Sequence, residues 1–145
     1  MTYLFNDPAA FAGLVATAKA ALPFLKATPG SRLVNMASCA GIYGSPGLAV
    51  YSATKHAVRG LTEALDAEWA PEGIKVRSLM PGFIDTPMLR AAPIDADAFA
   101  QTLPMKRIGK PEDIAAACAY LASEEASYIT GQTISTNGGR YMGSH

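Results

Sequence analysis

Leu33-Val-Asn-Met-Ala37 runs into the polar loop Ser38-Cys-Ala-Gly41, and Tyr51-Ser-Ala-Thr-Lys55 follows inside a helical run from Val50 to Trp69. A short apolar run of the first kind suits a strand buried on both faces, and the second is too long for a strand. Gly41, Gly44, Pro46 and Gly47 mark the loop between them, and Pro71 with Gly73 ends the helix. The alternation continues downstream. Ile74 to Met80 predicts a second strand, Pro111 to Ser123 a helix with proline in its first turn, and Gln132 to Ser135 a last strand. Upstream, Pro8 to Lys26 follows an Asn6-Asp7 start signal and carries apolar residues at Phe11, Leu14, Val15, Ala18, Leu22 and Leu25 before Pro29-Gly30 breaks it. Pro81 to Arg107 holds four prolines and no long period. It predicts an extended loop with short helices near Pro87 to Ala91 and Ala96 to Thr102, an arrangement common in substrate lids. Strands alternating with helices predict an α/β chain with a parallel sheet and helices on its faces.

Parallel sheets gather chemistry outside the carboxyl ends of their strands. Ser38 and the Pro81-Gly82 turn both follow predicted strands, so they should meet at that edge, with the Tyr51 helix beside it. On a helix, Tyr51 and Lys55 at i, i+4 share one face. A cation near a phenol favours phenolate and moves its pKa from about 10 toward working pH, as proton exchange with an alcohol or carbonyl oxygen needs. The Ser38 hydroxyl supplies a third group to polarise the same oxygen. Tyr-x-x-x-Lys alone also arises on any surface helix, Ser38 alone suits a turn cap, and Thr86 before Pro87 suits a helix start. His56 should point about 100 degrees from Lys55, which favours a structural role. Tyr43 and Tyr120 read as packing residues, Tyr43 with the option of lining a substrate pocket, and Trp69 as packing at a core edge or subunit contact.

The flanking residues carry a resemblance. Arg32 to Gly41 is similar to the fifth strand and serine loop of the short-chain dehydrogenase/reductase family, and Tyr51 to Gly60, YSATKHAVRG, to its catalytic helix. Val76-Arg-Ser-Leu-Met-Pro81-Gly82-Phe-Ile-Asp-Thr86-Pro-Met88 resembles the sixth strand and the Pro-Gly-x-x-x-Thr segment that meets the nicotinamide. Arg107 to Ala115 and Tyr128 to Gly139 match the last helix and strand. The resemblance implies the C-terminal half of a Rossmann-type doubly wound sheet, residues 1–145 forming one catalytic part. It also implies an NAD- or NADP-dependent oxidoreductase that interconverts a secondary alcohol and a ketone. Ser38, Tyr51 and Lys55 would be catalytic. Tyr51, Lys55, Pro81, Gly82, Ile84 and Thr86 would face the cofactor, with Lys55 both binding the nicotinamide ribose and depressing the Tyr51 pKa. Two features depart from the pattern. Family members usually run to roughly 250 residues and open with a glycine-rich dinucleotide turn, and this chain has no Gly-x-x-x-Gly-x-Gly. Ala10 stands where the family has the asparagine that holds a proton-relaying water chain, and Asn6 lies four residues off register.

With 145 residues, half of them hydrophobic and 17% charged, the chain has an ordinary globular composition. At that length it buries roughly 68–70% of its extended surface. Twelve basic residues cancel twelve acidic ones without runs of either sign, which argues against nucleic acid or a membrane surface as partner. No uncharged 18-residue apolar stretch and no leader pattern is read, so the expectation is a cytoplasmic chain without membrane spans. Cys39 and Cys118 lack metal-ligand spacing and read as free thiols; no metal site is expected. The expected partners are a small alcohol or carbonyl substrate and either further copies of the chain or a complementary N-terminal fragment, because the Leu33–Ala37 strand would otherwise lie at an open edge. Two other readings stand beside the enzyme. One is a non-catalytic remnant acting as an oligomerisation or binding module; the other is a relative using the Ser-Tyr pair without nicotinamide, against which Lys55 and Thr86 argue.

Overall fold

The computed structural model describes residues 8–143; the Asn6-Asp7 start signal and the Asn6 alternative lie outside them. Helix α1 (Ala9–Lys26) precedes strand β1 (Arg32–Met36), helix α2 (Ala49–Trp69) and strand β2 (Lys75–Pro81). Short helices α3 (Pro87–Arg90) and α4 (Ala96–Thr102), helix α5 (Pro111–Ala122) and strand β3 (Thr133–Thr136) complete the order. The three strands form one parallel sheet in the order β1-β2-β3. β1 pairs with β2 from Arg32 against Lys75 to Met36 against Leu79, and β2 with β3 from Ser78 against Thr133 to Pro81 against Thr136.

The central strand explains the packing. Alternate residues of β2 face opposite sides of the sheet, and both sides are covered. Val76 joins Ile74, Trp69 and Ala18 under α1 and α2, with Leu22, Leu25, Leu33 and Leu65 against them. Leu79 joins Leu121 and Ala126 under α5, with Val34, Ile114 and Ile134 against them. Trp69 is therefore a core residue, 6% exposed. Gly73, at φ 84°, turns the chain from α2 into β2, a backbone conformation that glycine adopts without a Cβ clash.

Several expectations are corrected. β1 is not buried on both faces. Only Asn35 is buried in it and Met36 is 41% exposed, because β1 has a neighbour on one edge alone among the described residues. In α1 only Ala18 is buried, and Val15 faces out. Tyr120 is 48% exposed instead of packed. α1 is also long and apolar enough, by length and composition alone, to cross a membrane: 18 residues with mean hydropathy 1.3. Lys19 and Lys26 break its run of uncharged residues without lowering that average enough to exclude it. Core and leader helices of soluble proteins meet the same test.

Candidate active site

The carboxyl ends of β1 and β2 open into a cleft of about 670 Å³ whose walls include Ser38, Tyr51, Lys55, Pro81, Gly82, Ile84 and Thr86. All seven residues singled out in the sequence therefore share one cavity. Ala10, Phe11 and Leu14 of α1 form its outer wall, and Tyr43 also lines it.

Ser38 leaves β1 in an extended conformation and caps the single 3-10 turn Cys39–Gly41, its Oγ accepting the Ala40 N–H at 3.2 Å. That bond uses an oxygen lone pair, so the hydroxyl hydrogen stays available for donation. The turn lies flat on α2. A Cβ at Gly41 would sit 2.7 Å from the backbone oxygen of Lys55, so only glycine permits this approach. Arg59 Nη1 donates to Gly41 O at 3.1 Å, and Ser45 N–H donates to Ser52 Oγ at 3.4 Å. The serine loop is thus fixed to the helix that carries Tyr51 and Lys55.

Lys55 Nζ donates to Met36 O at the end of β1, 2.9 Å away, and lies 5.6 Å from the centroid of the Tyr51 ring. The i, i+4 pairing expected from sequence is realised in space. Burial pushes the Lys55 ammonium below the usual lysine range, because desolvation disfavours the charged form. His56 is exposed, its Nδ1 donating to Ser52 O at 2.8 Å.

On the far wall, Gly82 N–H donates to Thr136 O at 3.0 Å, and a Cβ on Gly82 would come within 2.8 Å of Asn137 Cα. Ile84 forms an isolated parallel bridge with Gly109, which uses Phe83 O and Asp85 N. The peptide groups of a strand alternate in direction, so the N–H and C=O of Ile84 turn away from Gly109. Thr86 caps α3, its Oγ1 accepting the Leu89 N–H at 3.3 Å. Thr86 is therefore a helix start, as its place before Pro87 suggests, and it also stands on the cleft wall.

Sequence reading missed the polar residues that brace this arrangement. Asn35 Nδ2 donates to Thr62 Oγ1 at 3.0 Å, and Thr62 in turn donates to Val58 O. Asp66 accepts from Val76 N–H at 3.0 Å and from Thr130 Oγ1. Arg77, fully buried, donates to the carbonyls of Leu121, Ala126 and Ile129. One signal was present: Thr62 and Asp66 follow Val58 at helical spacing, which puts polar side chains on the packed face of α2. Cys39 is buried and Cys118 half-buried, both free thiols, and no metal-binding cluster occurs among the described residues.

A strand-loop-helix unit with a Ser, Tyr and Lys cleft at the carboxyl edge of a parallel sheet defines a Rossmann-type α/β protein. The family model described as Enoyl-(Acyl carrier protein) reductase matches residues 9–140, and the chain belongs to the short-chain dehydrogenase/reductase family. It is 47% identical over 111 residues to the 3-oxoacyl-(acyl-carrier-protein) reductase FabG of Staphylococcus epidermidis, covering 76% of this chain and 46% of that one. It is 45% identical over 109 residues to Nodulation protein G of Azospirillum brasilense, covering 74% and 44%. Among solved structures, a short-chain dehydrogenase/reductase from Brucella melitensis, described as a glucose/ribitol dehydrogenase, superposes with TM-score 0.85 at 37% identity over 95% of this chain and 59% of that chain. ElxO with NADP bound gives 0.76 at 34%, over 83% and 50%. The chain spans about half the length of these curated relatives.

Proposed function

We propose that this chain carries the proton-transfer half of an NAD(P)-dependent oxidoreductase that interconverts a secondary alcohol and a ketone. The observation that carries the reading is the convergence of Ser38, Tyr51, Lys55, Gly82, Ile84 and Thr86 on one cleft at the sheet's carboxyl edge. A nicotinamide cofactor fits the donor set. The free backbone groups of Ile84 and the Thr86 hydroxyl suit a carboxamide, and Lys55 suits ribose hydroxyls. This sequence holds no Gly-x-x-x-Gly-x-Gly pattern, so the residues of this cleft address the nicotinamide end of a dinucleotide. When bound, the cofactor supplies or takes the hydride.

The chain's own residues handle the oxygen. Ser38 donates its hydroxyl hydrogen to the carbonyl oxygen and holds it. Tyr51 donates the proton as the carbonyl becomes an alcohol, and removes it in the reverse direction. Lys55 places its ammonium 5.6 Å from the centroid of the Tyr51 ring, on the same wall of the cleft. Ala10 on the cleft wall offers no polar group at the family's asparagine position, and this favours a non-catalytic module as the second reading.

Nicotinamide fluorescence titration with NADH and NADPH, followed by steady-state reduction of a ketone panel, decides between them. The oxidoreductase reading expects saturable binding and turnover, with Tyr51→Phe losing about 10²–10⁴-fold in rate while its circular dichroism is unchanged. A Tyr51→Phe rate within twofold of the parent removes Tyr51 as acid/base. Binding without turnover favours the module.

A further inference from the structure

Among the described residues, Arg32, Arg90 and Arg107 pair with the carboxylates of Glu124, Asp85 and Asp113. Arg59 and Arg77 donate to backbone carbonyls. Arg140 has neither kind of partner among the described residues. Its Nε donates to the Tyr43 hydroxyl at 3.3 Å, and its guanidinium carbon lies 5.8 Å from the Tyr43 ring, 5.7 Å from Phe83 and 5.0 Å from Phe99. The Phe83 and Phe99 rings lie against each other with centroids 3.9 Å apart.

Two of these three rings, Tyr43 and Phe83, are walls of the cleft that holds Ser38 and Tyr51. Arg140 is exposed beside them. Its charge also reaches the serine loop, where it works against the burial that raises the thiol pKa of Cys39, the residue next to Ser38. Rings hold a guanidinium in place without neutralising it, because the attraction is to the ring quadrupole. The remaining N–H groups form a planar fork that matches a carboxylate or phosphate with two parallel hydrogen bonds. Aromatic contacts also fix the side chain in advance, which lowers the entropy cost of using it.

We propose that Arg140, which stands outside the cleft lining but against its Tyr43 and Phe83 walls, is the anion-recognition residue for ligands of the cleft, so that the substrates are ketones or alcohols bearing a carboxylate or phosphate. The inference rests on the cleft being the substrate site. A purely structural clamp, tying the Asn137–Tyr141 turn to Tyr43, would use the same contacts but would not distinguish charged ligands from neutral ones.

Calorimetric titration separates these, with and without NADP. The probes are levulinate against methyl levulinate, 5-oxohexanoate against its methyl ester, and dihydroxyacetone phosphate against dihydroxyacetone. The parent should bind the charged member of at least one pair about tenfold more tightly, a bidentate charge-assisted contact being the source. Arg140→Met should erase the preference and leave the neutral members unchanged. Arg140→Lys, which keeps the charge without the fork, should retain part of it. A carboxylate-only or phosphate-only preference identifies the group recognised. The proposal is overturned by equal affinities within every pair, by no binding of any probe, by a preference that survives in Arg140→Met, or by equal weakening of charged and neutral ligands. Charge-selective binding by a parent that consumes no NAD(P)H counts against the oxidoreductase reading alone.

Discussion

Lys55 is half-buried on the cleft wall, and burial holds its pKa below the ordinary 10.5. Between that lowered native value and 10.5 the unfolded chain binds more protons than the folded one, so this residue makes stability rise with pH across the window. Below the window Lys55 costs stability in full. Replacing it with Met removes the dependence. Urea titrations of parent and Lys55→Met at pH 7, 9 and 10.5 should show a stability difference that favours the variant most at pH 7 and shrinks toward pH 10.5. A difference constant with pH would mean that Lys55 titrates alike in both states. Ser38, Tyr51 and Lys55 were legible in the sequence because their spacing is local, four residues or one strand-loop-helix apart. Asn35, Asp66 and Arg77 were not, because a buried polar residue is explained only by a partner far along the chain. Thr62 for Asn35, Thr130 for Asp66 and Leu121 for Arg77 are such partners.

Among the elements, the contact between the serine loop and α2 depends on one missing methyl group. In Gly41→Ala the new Cβ meets the backbone of Lys55 at 2.7 Å and neither side is a flexible chain end. We expect a loss of about 1–3 kcal/mol in chemical denaturation, with a fall in turnover as Ser38 and Lys55 separate. Parent-like stability and rate would show that the loop has room to move. On the other face, Arg77 joins β2 to the end of α5 by donating to three carbonyls. Arg77→Met leaves those acceptors unsatisfied at about 1–3 kcal/mol each, partly offset by removing a desolvated charge. A net destabilisation of about 3 kcal/mol should appear as a lower urea midpoint, whereas an unchanged midpoint would mean that the carbonyls find other donors. The elements themselves were legible, with strand limits displaced by one residue. Periodicity marks where a strand sits, but its ends are set by register with a neighbour, as Arg32 against Lys75 sets the start of β1.

For the whole molecule, the α/β class followed from alternation alone, and the parallel order β1-β2-β3 agrees with it. What alternation leaves out is which surfaces are covered. The outer edge of β1 is unpaired among the described residues, Met36 is 41% exposed and Phe24 of α1 is 75% exposed. An open strand edge beside apolar side chains favours association. Multi-angle light scattering should therefore give a mass above that of one chain, and a stable monomer at high concentration would refute this.

The sheet's order also has a consequence for synthesis. Because β1, β2 and β3 lie side by side in chain order, β2 docks onto β1 and β3 onto β2, and among these three described strands none has to be inserted between the other two. β3, the last of these three to emerge, supplies the Thr136 carbonyl that receives Gly82 N–H. The Gly82 wall of the cleft therefore gains its shape only after the serine loop and the Tyr51 helix are already in hand.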